Sequence, residues 1–168
     1  IERVAAFEES FPPLPLAVRV QTESRVRWPV DGPVVMQGKV DLVIGGRPQG
    51  RVSHKVLIDL KTGSPWQSHR EDLRFYALVE TLRSGVPPRK VASYYLDAGD
   101  AHPEDVTEAV LRTALRRTLD GIDRLIALQV EGVEPVKRVG PACGWCPLSA
   151  SGECAEGVAH LARQPGDT

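Results

Sequence analysis

The apolar pattern opens weakly and sharpens along the chain. Residues 1–10 have the spacing of the end of a helix, and the stretch from Pro12 to Pro15 forces an extended connection. Leu16 to Trp28 alternates loosely through Val18, Val20, Thr22, Val26 and Trp28, Val34 to Ile44 is rich in β-branched residues, and Val56 to Leu60 is a short, nearly continuous apolar run. These are three strands. The turn material between them, Asp31-Gly32-Pro33 and the Gly45–Gly50 region, suits an antiparallel meander. Ser68 with Glu71 has capping-box spacing and opens a helix carrying Leu73, Tyr76, Ala77 and Val79 or Glu80, which Gly85 and Pro87-Pro88 end. Lys90 to Asp97 reads as a fourth strand. Val106, Val110, Leu111, Ala114, Leu115, Ile122, Leu125 and Ile126 then form one stripe of a long helix over roughly Pro103 to Val130. From Gly132 the pattern is irregular. The order β-β-β-α-β-α predicts a mixed sheet flanked by helices, in the α/β class.

Composition narrows this picture in a few places. A chain of 168 residues suits a single domain over 1–168, with a cysteine-containing segment at 140–155. Every apolar run is broken well before the roughly 18 residues of a membrane span, and no signal segment opens the chain, so a soluble, cytoplasmic protein is expected. The chain starts at Ile1 and its one methionine is Met36, which is the look of a piece trimmed at its N-terminus. The formal net charge of -1 gives no overall pull on a polyanion. Nucleic-acid contacts would therefore need local patches, for which Arg25 and Arg27, the group Arg47, Arg51 and Lys55, and the helical row Arg112, Arg116 and Arg117 are available. No glycine-rich phosphate loop is present, which argues against an ATPase.

Candidate chemistry gathers on two strands. Residues two apart on a strand share a face, so Asp59 and Lys61 in Ile58-Asp59-Leu60-Lys61-Thr62-Gly63 point to one spot. Gly38-Lys39-Val40-Asp41 lies in the preceding strand, and antiparallel pairing would set Asp41 beside Asp59. Two such carboxylates repel unless a hard cation lies between them. Magnesium chemistry follows, with Lys61 neutralising charge that builds on a phosphate.

These residues resemble the RecB-like nucleases of the PD-(D/E)xK superfamily, which include helicase-nuclease subunits and CRISPR-associated exonucleases. Gly38-Lys39-Val40-Asp41 is similar to that family's G-x-x-D, Ile58–Gly63 to its D-x-K-T-G strand, and Asp72-Leu73-Arg74-Phe75-Tyr76 to its Q-x-x-x-Y helix. The resemblance implies a restriction-endonuclease-like core and a metal-dependent deoxyribonuclease, an exonuclease on DNA ends or single strands in DNA repair or recombination. It further implies Asp41, Asp59 and the Leu60 carbonyl as ligands of Mg2+ or Mn2+, Lys61 as the catalytic lysine, Tyr76 and residue 72 near DNA, and a helicase as a partner. Two departures stand out. Asp72 replaces the family's neutral glutamine with a negative charge, and the chain is expected to start too late to show the histidine or acidic residue that many members place on a helix upstream of the first strand, leaving Glu23 as the one candidate for an extra catalytic carboxylate; it reads equally as an outward residue of an edge strand.

The cysteines form a second group. Cys143-Gly144-Trp145-Cys146 and Cys154 have metal-ligand spacing and are similar to the C-terminal cysteines of the family's iron–sulfur members, which implies a cluster in the intact parent whose fourth thiolate lies before Ile1, and an incomplete cluster here. His160 is a conceivable fourth ligand, and three reduced structural cysteines are the plain alternative. Trp66 and Trp145 could stack on bases or cover core edges, and one of Tyr94 and Tyr95 belongs to the core. Two other functions fit the same residues: a nuclease fold that only binds DNA, and a small cysteine–metal interaction domain.

Overall fold

The computed structural model describes residues 2–46, 50, 53–65 and 67–163. Two compact units divide the chain, Ile1–Asp123 and Arg124–Thr168. The first holds α1 (Glu2–Ser10), β1 (Val20–Trp28), β2 (Met36–Ile44), β3 (Val56–Lys61), α2 (Gln67–Ser84), β4 (Lys90–Tyr95), β5 (Asp100–Asp105) and the greater part of α3 (Glu108–Gln129).

The five strands lie in chain order, β1-β2-β3-β4-β5. All neighbours are antiparallel except β3 and β4, which are parallel. A parallel pair needs a crossover, and α2 supplies it. The sheet is therefore the expected mixed one flanked by helices. Its α2 side packs Val26, Val40, Val43, Leu57 and Val91 against Leu73, Ala77 and Val79. Its other side packs Leu42, Ile58, Ala92 and Tyr94 against Phe7 of α1 and the following Phe11. Phe7 meets the Tyr94 ring edge-on at 5.3 Å, and Ser10 Oγ lies 2.5 Å from the Tyr94 hydroxyl. Tyr94 is thus the core tyrosine of that side, while the neighbouring Tyr95 is buried on the α2 side.

Three expectations from the sequence change. Pro103 does not open a helix but sits in β5, opposite Ala92, and α3 begins at Glu108 with the Thr107 hydroxyl accepting the Val110 N–H. The segment Asp-Ala-His-Pro-Glu-Asp has no apolar alternation, and a proline is tolerated there because β5 is an edge strand with one free side. The α3 stripe exists, but Ala114 alone is buried in the helix, Leu111 packs on the α2-side core, and Leu115, Leu119 and Leu125 stay exposed. The region after Gly132 is not irregular throughout: a 3-10 turn at Pro141–Trp145 and helices α4 (Pro147–Ala150) and α5 (Ala155–Arg163) hold the cysteines. Among the described residues no helix is long and apolar enough to cross a membrane.

One buried charge ties α2 to the start of β3. Glu80 falls on the core face of α2 and is 2% exposed, where an unpaired carboxylate would be costly. Lys55, just before β3, pairs with one of its oxygens, and Arg83 donates to the other at 2.6 and 3.1 Å. Removing one partner of such a buried pair costs about 3–5 kcal/mol, because the other is left uncompensated. Glu80→Ala is expected to lose about that much in urea unfolding; a loss under 1 kcal/mol would show that the pair does not bear on stability.

Candidate active site

The β2–β3 pairing decides where the acids go. Leu42 faces Ile58 and Val43 faces Leu57, so one further step in the same register sets Asp41 opposite Asp59. Asp41 Oδ2 accepts the Leu60 N–H at 2.8 Å, which orients its carboxylate across the gap between the strands. Burial, and then the neighbouring Asp59 and Glu23, push the Asp41 carboxyl above its ordinary value, although the Leu60 N–H pulls the other way. Asp59 is 6% exposed and its Oδ2 makes no hydrogen bond. Lys61 Nζ lies 2.6 Å from that oxygen as an ion pair whose angles fall outside hydrogen-bond geometry, and it is 3.9 Å from Asp72 on α2. Burial alone would lower the Lys61 pKa, but Asp59, Asp72 and Tyr76 together outweigh it and the net shift is upward.

The strand bearing Asp41 is locally irregular. Val40 and Val43 pack on the same side of the sheet while Leu42 packs on the other, so strict alternation is broken between them. The β1–β2 ladder omits the pair that would join Glu23 to Asp41, and Glu23 has a φ of 52°. A non-glycine residue in the left-handed region is a strained backbone position. Glu23 is exposed and its carboxylate pairs with Lys39, so it opposes Asp41 in register but is engaged elsewhere.

Gly38 and Tyr76 explain each other. A Cβ on Gly38 would come within 2.4 Å of Tyr76 Cε1, so only glycine leaves room for the ring over β2. The Tyr76 hydroxyl titrates above its ordinary range, through burial first and then the charges of Asp59 and Asp72. Tyr76 therefore belongs to the carboxylate and lysine group.

Asp41, Asp59, Lys61, Asp72 and Tyr76 are thus brought together, whereas Glu23 is turned to Lys39. The three cysteines lie in the second unit, half-buried: Cys143 in the 3-10 turn, Cys146 capping α4 and Cys154 just before α5. The Ser149 and Leu148 N–H groups hold the Cys146 thiol below its ordinary pKa. Among the described residues no three His, Cys, Asp or Glu side chains converge as a ready metal site. The cysteines supply three thiolates where an iron–sulfur cluster takes four, so as they stand they do not fit a complete cluster. Asp41 and Asp59 do fit a hard divalent cation: they are an oxygen pair, and Asp59 Oδ2 is buried without a hydrogen bond.

Four of the eight basic residues expected to form patches have partners among the described residues of the chain. Arg112 pairs with Glu108, Arg117 with Glu71, and Lys55 with Glu80. Glu71 thus serves Arg117, and α2 starts at Gln67, one residue before the expected cap Ser68. Arg27 bonds the Val30 carbonyl and Gln37. Arg47, Arg51 and Trp66 lie outside the described residues. Trp145 is 83% exposed and covers no core edge. Sequence patterning gives no sign of a second group beside the site. Tyr95 neighbours Lys61 across the β3–β4 pairing, its hydroxyl is 3.1 Å from His69 Nδ1, and its ring meets His102 edge-on at 5.0 Å. Only knowledge of β5 would have placed His102 there.

A strand–helix–strand crossover thus carries two acids and a lysine at adjoining strand positions. Residues 1–151 match the family model of the PD-(D/E)XK nuclease superfamily, and the chain belongs to that superfamily. A solved structure from Eubacterium rectale, described as a candidate exonuclease, aligns over 90% of this chain with a TM-score of 0.50 at 16% identity, a likeness of fold. This chain spans 56% of that one. No curated protein matches the sequence.

In chelator the Asp41 and Asp59 charges act on each other, with the Lys61 ammonium beside Asp59. The ionised form of Asp41 is the one that folding disfavours, so its native-state cost is full above the raised pKa and fades as pH falls through it toward the ordinary carboxylate range. Asp41→Asn keeps an oxygen for the Leu60 N–H. It is expected to melt at a higher temperature than the wild type at pH 7 in EDTA by calorimetry. A lower melting temperature would mean that the two carboxylates do not repel.

Proposed function

We propose that this chain is a metal-dependent deoxyribonuclease domain of the RecB-like branch, acting as an exonuclease on DNA ends or single strands in repair or recombination. The observation that supports it most is Asp59 Oδ2, buried without a hydrogen bond, beside Asp41 and under the Lys61 ammonium. Asp41, Asp59 and the Leu60 carbonyl would hold Mg2+ or Mn2+, and the bound ion would polarise the phosphoryl group and lower the pKa of a water. Lys61 contributes a compact positive charge where negative charge grows on the phosphate. Tyr76, seated over Gly38, lines the approach to it. Glu23 would become an additional carboxylate only on leaving Lys39.

The Cys143-x-x-Cys146 spacing with Cys154 supports the iron–sulfur branch, with the fourth ligand coming from outside this trio; a helicase partner fits the same branch. Iron and sulfide analysis of the full-length protein checks this, with stoichiometric iron in the wild type and its loss in Cys146→Ser as the expected result. Absence of iron from anaerobically purified protein would remove the assignment.

A DNA-binding module with weakened catalysis is the second reading, and Asp72 favours it, since it brings negative charge to within 3.9 Å of Lys61. Incubation of end-labelled linear and closed circular DNA with Mg2+ or Mn2+ separates the two. Cleavage of the linear DNA is expected, with Lys61→Ala slower by about a hundredfold or more, the scale of losing one charge-stabilising donor. Equal cleavage by a folded Lys61→Ala would overturn the site, and DNA retention without any cleavage would establish the second reading.

A further inference from the structure

The Lys61 ammonium lies between two carboxylates of different character. Asp59 is on the same strand, its side chain 8% exposed, and it is the oxygen source the proposed cation needs; Asp72 is on α2, its side chain 55% exposed, and it has no place among the proposed ligands. The present distances, 2.6 Å to Asp59 Oδ2 and 3.9 Å to Asp72 Oδ2, give Lys61 to Asp59. A divalent cation on Asp59 Oδ2 would set a second positive charge across one atom from the ammonium at 2.6 Å, and that repulsion disfavours the present position of Lys61. Lys61 is then driven off Asp59, and the groups already acting on it are Asp59 from the sheet and Asp72 and Tyr76 from α2.

We propose that Asp72 is a positioning residue that receives the Lys61 ammonium when a divalent cation takes Asp59. The handover carries the positive charge outward, from a buried acid to an exposed one. A glutamine at position 72 would offer Lys61 an amide oxygen but no charge to hold it against the repulsion of the cation. The negative charge at this position is then a device for placing the lysine, which is a different role from weakening DNA attraction. This inference rests on the assignment of Asp41 and Asp59 as cation ligands.

The test is Mn2+ calorimetry on the full chain in four forms: wild type, Asp72→Asn, Lys61→Met and the double variant. Asp72→Asn is expected to bind Mn2+ about two- to fivefold more weakly, the range of a partly exposed ion pair, and Asp72→Glu to restore wild-type affinity. In the Lys61→Met background, with no ammonium to receive, the same Asp72→Asn change should cost clearly less. Simple attraction of Mn2+ to the Asp72 charge predicts the opposite order, since removing Lys61 unmasks that charge. A loss in the Lys61→Met background equal to or larger than that in the wild type would therefore overturn the handover. Asp41→Asn serves as the control for the underlying site. If it binds Mn2+ as tightly as the wild type, the ligand assignment fails and the handover with it; if it binds more weakly while the Asp72 effect survives Lys61→Met, the handover alone fails.

Discussion

Two like charges on neighbouring strands are held close by the pairing of β2 with β3, and the architecture around them answers that constraint. Asp41 is fixed by the Leu60 N–H across the gap, and Asp59 is buried by the crossover helix. Asp59 Oδ2 is left without a hydrogen bond. Lys61 offsets part of the repulsion as an ion pair with Asp59. A buried carboxylate oxygen held by one ion pair and no hydrogen bond is well placed to take a cation. That imbalance, in a chain of the PD-(D/E)XK nuclease superfamily, links the fold to the proposed chemistry.

Distant features keep the two strands in register. Gly38 admits the Tyr76 ring, which seats α2 over β2 and leaves the tyrosine near Asp59, Asp72 and Lys61. Lys55 and Glu80 anchor the other end of α2 to the start of β3. Beyond β3, the Leu96 N–H bonds the Lys61 carbonyl at 2.9 Å and Asp97 Oδ2 accepts the Gly63 N–H at 2.6 Å, so the strand that carries Asp59 and Lys61 is tied down past its end. Rigid support of this kind suits a site whose work is electrostatic, where small displacements of a charge change its effect.

The meander, the crossover helix and the strand after it were legible because their signals are strong: β-branched runs, two glycine turns and a helical period stopped by Gly85 and Pro87-Pro88. Asp41 and Asp59 could be paired from the order of those strands. What escaped had no local signal. β5 is a polar hexapeptide with a proline, made a strand by pairing with β4, so His102 and the environment of Tyr95 were invisible without it. The irregularity at Glu23 and Asp41 is a matter of backbone geometry that composition does not encode. Some basic residues that looked available in the sequence are engaged, as where Arg117 finds Glu71 through tertiary packing alone. Asp72 was visible as a departure from the resembled family's glutamine, but its distance from Lys61, on which its proposed role depends, needed the structure.

A crystal structure of the protein soaked with Mn2+, located by its anomalous scattering, would test the central claim most directly. The account predicts one manganese peak within bonding distance of both Asp41 and Asp59. A protein that takes up manganese only elsewhere, with Lys61 still on Asp59, would contradict it.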